Sequence, residues 1–253
     1  MRIPKGHPRF ESLRIRELLV KGLRDGVVVP EGLLAHGRGE TFDYLLGERT
    51  SISAGKAVRA SAALMLISKS SVVSVNGNAA ALVPREISRL ASLIPAKVEV
   101  NLFHRSLERE RKIAAVLHRS GVREVLGVGV DASVSIPGVS SRRKHVDPRG
   151  IGGADVVLVP LEDGDRAMAL QSAGKRVIAV DLNPLSRTSQ AASISIVDNV
   201  VRAFPRLIGE VGRLKSHDSS YLKRIVSSFD NPRNLAMALS EITEFLDLWR
   251  VGS

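Results

Sequence analysis

An arginine between two glycines is the first cluster of residues that could do chemistry. The segment HGRGE at residues 36–40 places Arg38 beside Glu40, and Asp43 follows closely. Glycine lets a backbone approach a ligand, and the planar guanidinium of arginine binds phosphate or carboxylate. The segment is therefore either a surface turn with a solvated arginine or a catalytic site in which Arg38 and Glu40 take part.

Two further clusters directly follow predicted strands. Asn76, Gly77 and Asn78 either form an ordinary turn, which is the simpler interpretation, or bind an anionic substrate through backbone N–H groups at a helix start. The second cluster, PLEDGDR at residues 160–166, contains three carboxylates. Its acidic side chains could hold magnesium or an ammonium group, or Asp165 could cap a helix. We therefore take Asp163 and Asp165 as catalytic candidates.

A nucleotide site is indicated by residues 181–188, which read DLNPLSRT. Asp181 follows a strand, where an acidic side chain can accept hydrogen bonds from ribose hydroxyls. The segment SRT at residues 186–188 offers hydroxyls and a guanidinium suited to phosphates. Asp198 and Asn199 end the next strand, and they either cap a helix or form a second side of the same pocket.

Other motifs are weak or missing. The glycines of Gly127-x-Gly129-x-x-Ala132 fit a dinucleotide fingerprint, but the following SVSIPG is poor helix material and the fingerprint needs a helix there. The six histidines have no metal-ligand spacing, and there is no cysteine. Without a Walker loop or a nucleophile elbow, hydrolase and P-loop functions have little support.

The net charge of +11 indicates polyanionic ligands. Aromatic residues make up only 4% of the chain, so there are few platforms on which bases could stack, and we expect no nucleic-acid partner. The densest basic run, RRK at residues 142–144, is interpreted as a solvated loop. No apolar run is long enough to span a bilayer and the N-terminus lacks an apolar signal region. We expect a cytoplasmic protein without a membrane partner.

Alternating strand and helix patterns from residue 50 to about residue 215 must position these side chains. The alternation predicts a doubly wound, mostly parallel α/β sheet, in which ligands bind beyond the carboxyl ends of strands. We predict one α/β domain over residues 1–253, with a helical addition at each terminus (1–25 and 233–250) and a long loop at 131–153 that acts as a lid or binding segment. The expected strands are 71–75, 97–102, one within 122–130, 156–160, 176–180 and 194–197; the expected helices include one from Ser53, as its cap, to Ile67, and 84–93, 106–120, 200–214 and 219–229.

Eight segments, in chain order, resemble one known family. They are HPRFESL, GLLAHGRGETFDYLLGE, SVNGNAAALVP, VEVNLFHR, VVLVPLEDGDR, VIAVDLNPLSRT, SIVDNVVRA and FDNPRNL, and they run from about His7 to Leu235. The family they resemble is the archaeal phosphopantothenate synthetases, or 4-phosphopantoate–β-alanine ligases, of coenzyme A biosynthesis. The 131–150 region is more basic and serine-rich than the family pattern, and the region after Leu235 adds an amphipathic helix.

This resemblance implies a Rossmann-like homodimer that uses ATP, with Mg²⁺, to join 4-phosphopantoate to β-alanine through an acyl adenylate. A Rossmann-type NAD(P) oxidoreductase is the first alternative, and it requires residues 127–132 to open a helix. A basic nucleic-acid-binding module is the second, and it requires binding that weakens steeply with salt. By position, the residues that the resemblance implies in ATP binding are Arg16, Arg38, Asp181, Leu182, Asn183, Arg187, Thr188, Asn199 and Val200.

Overall fold

The computed structural model describes residues 4, 6–7, 9–161 and 163–251. Glu162 and parts of the predicted N-terminal addition (residues 1–3, 5 and 8) lie outside the described residues. The helices are α1 (Phe10–Arg24), α2 (Pro30–Leu45), α3 (Ile52–Ile67), α4 (Gly77–Leu82), α5 (Pro84–Leu93), α6 (Leu107–Arg119), α7 (Gly164–Ser172), α8 (Arg187–Ala191), α9 (Val200–Leu214), α10 (Ser219–Ser227) and α11 (Asn231–Val251). The strands are β1 (Ser71–Val75), β2 (Lys97–Val100), β3 (Val134–Ser135), β4 (His145–Val146), β5 (Val156–Pro160), β6 (Arg176–Val180) and β7 (Ile194–Ile196).

Five strands form a parallel sheet in the order β2-β1-β5-β6-β7. The strands β1, β5 and β7 are buried along their whole length, which explains their continuous apolar sequences. Side chains alternate between the two faces, so Val73, Leu158 and Ile178 join one core while Val157 and Val177 join another. The predicted doubly wound, Rossmann-like α/β class is confirmed.

Different elements cover the two faces. Helices α3, α5 and α9 contribute to the larger core, and α7 packs on the opposite face together with residues 136–154. The strand order reverses between β1 and β5, and such a switch point leaves a crevice at the carboxyl edge of the sheet. Among the described residues, none of the helices has the length and apolar character needed to cross a membrane.

The two helical additions pack onto the α/β core. Helix α1 contacts α2 and α4, and α11 contacts α2, α3, α8 and β7. The apolar face of the predicted amphipathic helix is covered at Ile242, which is buried, and at Phe245, which contacts Gly47. Leu246 on the same face is exposed, and the side chain of Trp249 lies outside the described part of the structure.

The strand expected within residues 122–130 is wrong, and the predicted long loop at 131–153 contains a short hairpin. Residues 122–130 form no ladder in the sheet but only one isolated bridge between Leu126 and Glu99. Gly127 and Gly129 both have positive φ and turn the chain away from the sheet after that bridge. Residues 131–153 are not entirely irregular, because β3 and β4 pair as a short antiparallel hairpin between 3₁₀ turns.

The start of α3 also differs from the prediction. The cap is Ser51, whose Oγ accepts a hydrogen bond from the N–H of Ala54 at 3.1 Å. Ser53, the predicted cap, is fully buried and hydrogen-bonds Glu241 of α11 instead. Both serines fit a helix start, and the docking of α11 determines which of them acts as the cap.

Candidate active site

A large cleft opens at the carboxyl edge of the sheet, and we call it the main cleft. Its volume is about 960 Å³, which suits a nucleotide together with a small second substrate. Its walls come from one face of α2, from residues 139–141, from the segment after β5 and from the segment after β6. The side chains that line it include those of Arg38, Phe103, Ser140, Ser141, Asp163, Asp165, Arg166, Asp181, Leu182, Asn183, Arg187 and Thr188.

The segment after β6 is shaped by the carboxylate of Asp181. One oxygen accepts the N–H of Asn183 at 3.0 Å, and the other accepts the hydroxyl of Ser186 at 2.5 Å. Burial raises the pKa of Asp181, while these hydrogen bonds and the charge of Arg38 oppose that shift. The carboxylate thus holds the 181–186 turn against the floor of the main cleft.

Arg38 projects from the middle of α2, so HGRGE is helical rather than a turn. At Gly39 this helix lies against the segment after β6, because a Cβ there would be in van der Waals contact with Cδ1 of Leu182, at 3.4 Å. Arg38 is exposed and lines the main cleft. Two of the predicted nucleotide segments, on α2 and after β6, therefore meet in one cleft.

The opposite face of α2 borders a second, smaller cavity of about 350 Å³ between α1, α2 and α9. His36, Glu40 and Asn199 line it, and burial lowers the pKa of His36. Glu40 accepts hydrogen bonds from Nε and Nη2 of Arg16, the shortest at 2.9 Å. Helical periodicity explains the separation, because positions 36, 40 and 43 share one face and positions 35, 38, 39 and 42 share the other.

The predicted ATP-binding residues are consequently divided between the two cavities. Six of them line the main cleft: Arg38, Asp181, Leu182, Asn183, Arg187 and Thr188. Asn199 borders the second cavity, Arg16 pairs with Glu40 beside it, and Val200 is buried at the start of α9. Contacts of all nine residues with ATP stay predictions, as does a catalytic role for Glu40.

Asn199 belongs to a buried charge network behind α2. Its Nδ2 donates to Asp43 at 3.1 Å, and its Oδ1 accepts the N–H of Val201 as the cap of α9. Arg202 donates to Asp43 and, at 2.8 Å, to Asp198. Burial raises the pKa of Asp198, while the charge of Arg202 lowers it. This network joins α2 to the end of β7.

The acidic segment after β5 lies in the main cleft. Asp163 precedes α7 without capping it through its side chain, and its carboxylate accepts a hydrogen bond from Arg143 at 3.0 Å. Asp165 is exposed and lies 3.5 Å from Arg187. Within residues 9–161 and 163–251, histidines and acidic side chains form no group of three that could hold a metal ion.

The Asn76–Asn78 segment begins α4 and connects parts of the core. Asn76 accepts the N–H of Ala79 at 2.9 Å as the cap, and its Nδ2 donates to the carbonyls of Pro160 and Leu161. This amide thus bridges the switch point between β1 and β5. Asn78 is buried and donates to the carbonyl of Gly32 in α2 at 2.8 Å. The side chains of 76 and 78 support the cleft without lining it, so a substrate contact there stays a prediction.

Two buried arginines near the main cleft were missed by the sequence analysis. Arg166 is 1% exposed and Arg143 is 6% exposed, so the interpretation of residues 142–144 as a solvated loop was wrong for Arg143. Burial lowers the pKa of each to about 10, and both remain charged at neutral pH. The sequence pattern around Arg143 and Arg166 does not indicate burial, because each lies in a segment that also contains exposed charged residues.

The glycines at 127 and 129 do not form a dinucleotide site. A single 3₁₀ turn (Gly129–Asp131) and then the β3–β4 hairpin follow them, where the fingerprint requires an α-helix. Packing explains Gly127, since a Cβ there would lie 2.6 Å from the carbonyl oxygen of Val100. This geometry gives no support to the oxidoreductase alternative.

Together, the topology and the main cleft define a doubly wound α/β protein with a candidate ligand site at the carboxyl ends of β5 and β6. The sequence pattern of the phosphopantothenate/pantothenate synthetase family matches residues 53–245. The 4-phosphopantoate–β-alanine ligase of Thermococcus kodakarensis is 48% identical, over 96% of this chain and 93% of its own. The ligase of the same name from Methanosarcina mazei is also 48% identical, over 96% and 95%. The chain belongs to the phosphopantothenate/pantothenate synthetase family.

Proposed function

We propose that this protein is an ATP-dependent ligase that joins 4-phosphopantoate to β-alanine, which yields 4′-phosphopantothenate, AMP and diphosphate for coenzyme A biosynthesis. The observation that carries the proposal is the 48% identity to a ligase of that name over 96% of the chain. The main cleft supports it, because a volume of about 960 Å³ has room for ATP and a second small substrate. The net charge of +11 suits substrates that are all anionic apart from β-alanine.

The nucleotide would bind along the segment after β6. The carboxylate of Asp181 accepts hydrogen bonds within the turn, but its remaining lone pairs can accept hydrogen bonds from ribose hydroxyls, next to the amide of Asn183. Arg187 is exposed at the start of α8 and would reach the phosphates together with Thr188. Arg38 faces this segment from α2 and would complete the phosphate contacts.

The reaction would proceed in two steps. A carboxylate oxygen of 4-phosphopantoate attacks the α-phosphorus of ATP, and diphosphate leaves with the electrons of the broken P–O bond. The amine of β-alanine then attacks the acyl carbon, AMP leaves, and the amine nitrogen loses its proton. Arg38 would stabilise the negative charge that develops on the α-phosphate and the leaving diphosphate in the first step.

Magnesium at nucleotide sites is commonly held by one or two carboxylates together with the substrate's phosphates. Asp163 and Asp165 line the same cleft as Arg187 and fit that donor set. Bound there, Mg²⁺ would neutralise part of the triphosphate charge. The same two carboxylates are candidates for the ammonium group of β-alanine.

The experiment incubates the protein with ATP, magnesium and 4-phosphopantoate, with and without β-alanine, and resolves the nucleotides. AMP should accumulate in proportion to phosphopantothenate only when both substrates are present. ADP in place of AMP would refute the adenylate while preserving the ligase. No turnover that depends on β-alanine would refute the ligase itself.

We also propose a homodimer, because α11 leaves Leu246 and Leu248 exposed near the C-terminal end of a helix that is otherwise packed on the core. A second copy of the chain would cover these side chains. Light scattering at micromolar concentration should report twice the 27.3 kDa chain mass. A stable monomer would contradict the proposal.

A further inference from the structure

The strand β2 carries a buried carboxylate that lies outside the main cleft. Glu99 is fully buried, and its carboxylate accepts the N–H groups of Asp147 at 3.1 Å and Ile151 at 2.6 Å. Both N–H groups belong to residues 131–153, which we call the wall segment. One side chain therefore ties the C-terminal half of that segment to the edge of the sheet.

The wall segment is built around this side chain. A Cβ at Gly150 would lie 2.0 Å from Oε2 of Glu99, and a Cβ at Gly127 would lie 2.7 Å from its Cγ. Any larger residue at either position would displace the carboxylate or the backbone. The close approach of two glycines shows that the chain before the wall segment and the C-terminal part of that segment both enclose Glu99.

A second side chain at the end of β2 holds the middle of the wall segment. Asn101 is buried, and its Nδ2 donates to the carbonyl of Arg143 at 3.2 Å and to that of His145 at 3.1 Å. Arg105 also donates to the carbonyl of His145, at 3.1 Å. The wall segment is thus attached to β2 and its extension by side chains that reach backbone groups.

The wall segment carries two features to the main cleft. Ser140 and Ser141 line the cleft directly. Two residues further on, the guanidinium of Arg143 donates to Asp163, which also lines the cleft, at 3.0 Å. Any movement of the wall segment would therefore move one side of the cleft and the group that orients Asp163.

We propose that Glu99 is a positioning residue of the active site, which acts by holding the wall segment so that Ser140, Ser141 and Arg143 form one side of the substrate cleft. It touches no substrate. Because ATP would keep its proposed contacts with Arg38 and residues 181–188, the acyl substrate should be affected more strongly than ATP. The kinetic test of this inference rests on the proposed ligase function, whereas the hydrogen-exchange test does not.

The test compares Glu99→Gln with Glu99→Met. Both variants remove the negative charge, and both side chains are similar in length to glutamate. They differ chiefly in hydrogen-bond acceptors, because glutamine retains one acceptor oxygen for the two N–H groups and methionine retains none. A buried N–H left without a partner costs about 1–3 kcal/mol, which corresponds to roughly 5–150-fold in an opening equilibrium. Hydrogen exchange of the wall segment, measured without substrate, should be about tenfold or more faster in Glu99→Met than in Glu99→Gln.

The kinetic readout is the KM for 4-phosphopantoate, which should rise about tenfold from the glutamine to the methionine variant. The KM for ATP and kcat should stay within about threefold. The same two substitutions at Glu124, which is exposed and contacts Arg149 of the wall segment, provide the matched control and should change neither readout. If methionine at position 99 prevents folding, Asn101→Ala removes the neighbouring attachment and should give the same pattern.

Equal exchange of the wall segment in the two Glu99 variants would refute the attachment. Faster exchange with an unchanged KM for 4-phosphopantoate would refute the positioning role, as would equal rises in both KM values. Absence of ligase activity in the unmodified protein would refute the proposed function instead, and the exchange comparison would still decide whether Glu99 holds the wall segment.

Discussion

Replacing Arg202 by methionine tests the buried charge network behind α2. Arg202 hydrogen-bonds both Asp198 and Asp43, and these carboxylates are 1% and 5% exposed. Thr50 donates a further hydrogen bond to Asp198 at 2.6 Å. The methionine variant would leave two acidic side chains buried together without the cation that they share. The consequence should be a loss of stability rather than a direct loss of ligand contacts.

Removal of one partner from a buried ion pair costs about 3–5 kcal/mol, because the remaining charge is left uncompensated. For a chain of this size, such a loss lowers the thermal midpoint on the order of 10 °C. The loss should be larger at pH 8 than at pH 5. Burial already raises the pKa of Asp198, and removal of Arg202 would raise it further, so protonation at the lower pH relieves the uncompensated charge.

Calorimetry at both pH values measures this effect. Arg213→Met is the matched control, since Arg213 is 77% exposed and pairs with Glu210, three residues before it. This control variant should shift the thermal midpoint by about 1–2 °C at most. Adding Asp198→Asn to Arg202→Met should recover part of the loss at pH 8. A loss that is the same at both pH values, or below about 1 kcal/mol, would show that the network does not stabilise the fold as argued.

Three further predictions concern the cleft and its supports. Arg187→Ala should weaken ATP use about 10–100-fold, the effect of a lost charge-assisted contact, whereas Arg213→Ala should not change it; unchanged ATP kinetics in the first variant would remove Arg187 from the site. Asn76→Ala should lower the thermal midpoint by about 5–10 °C, because it removes the cap of α4 and two donors at the switch point, and a midpoint within 1 °C of the unmodified protein would contradict this. Burial raises the pKa of Glu99 from 4.5 to about 7. The unmodified protein should therefore lose up to about 3 kcal/mol of stability as pH rises through that range, and Glu99→Gln should lack this loss. Parallel stability–pH curves for the two proteins would exclude this contribution of Glu99.

The strands and several helices followed directly from local patterns. The predicted bounds of β1, β5 and β6 agree with the structure, because fully buried parallel strands require continuous apolar and β-branched runs. The bounds of α5 and α9 were also predicted correctly. Pro84 marks the first turn of α5, and the apolar face of α9 repeats with helical period.

Helix α2 was not predicted, and its glycines explain why. Each glycine inside a helix costs about 1 kcal/mol relative to alanine, and α2 contains three. One of them is required by a neighbour, since a Cβ at Gly32 would lie 2.5 Å from the side chain of Asn78. Tertiary packing therefore stabilises a helix that local propensity disfavours.

The same distinction applies to the candidate site. Parallel topology brings strand ends to one edge, so the sequence alone could place the residues after β5 and β6 together. It could not separate Arg38 from Glu40, because that division depends on α2 being a helix with a different cavity on each face.

The sequence by itself determined the parallel sheet, the edge at which ligands bind and the polar segments that follow its strands. Those features depend on local periodicity and on a general rule of parallel sheets. Only the tertiary structure decided that Arg143 and Glu99 are buried, since their partners Asp163 and Ile151 lie 20 and 52 residues away in the chain. A charged side chain is stable in the interior only when distant groups compensate it, and local sequence does not specify those groups.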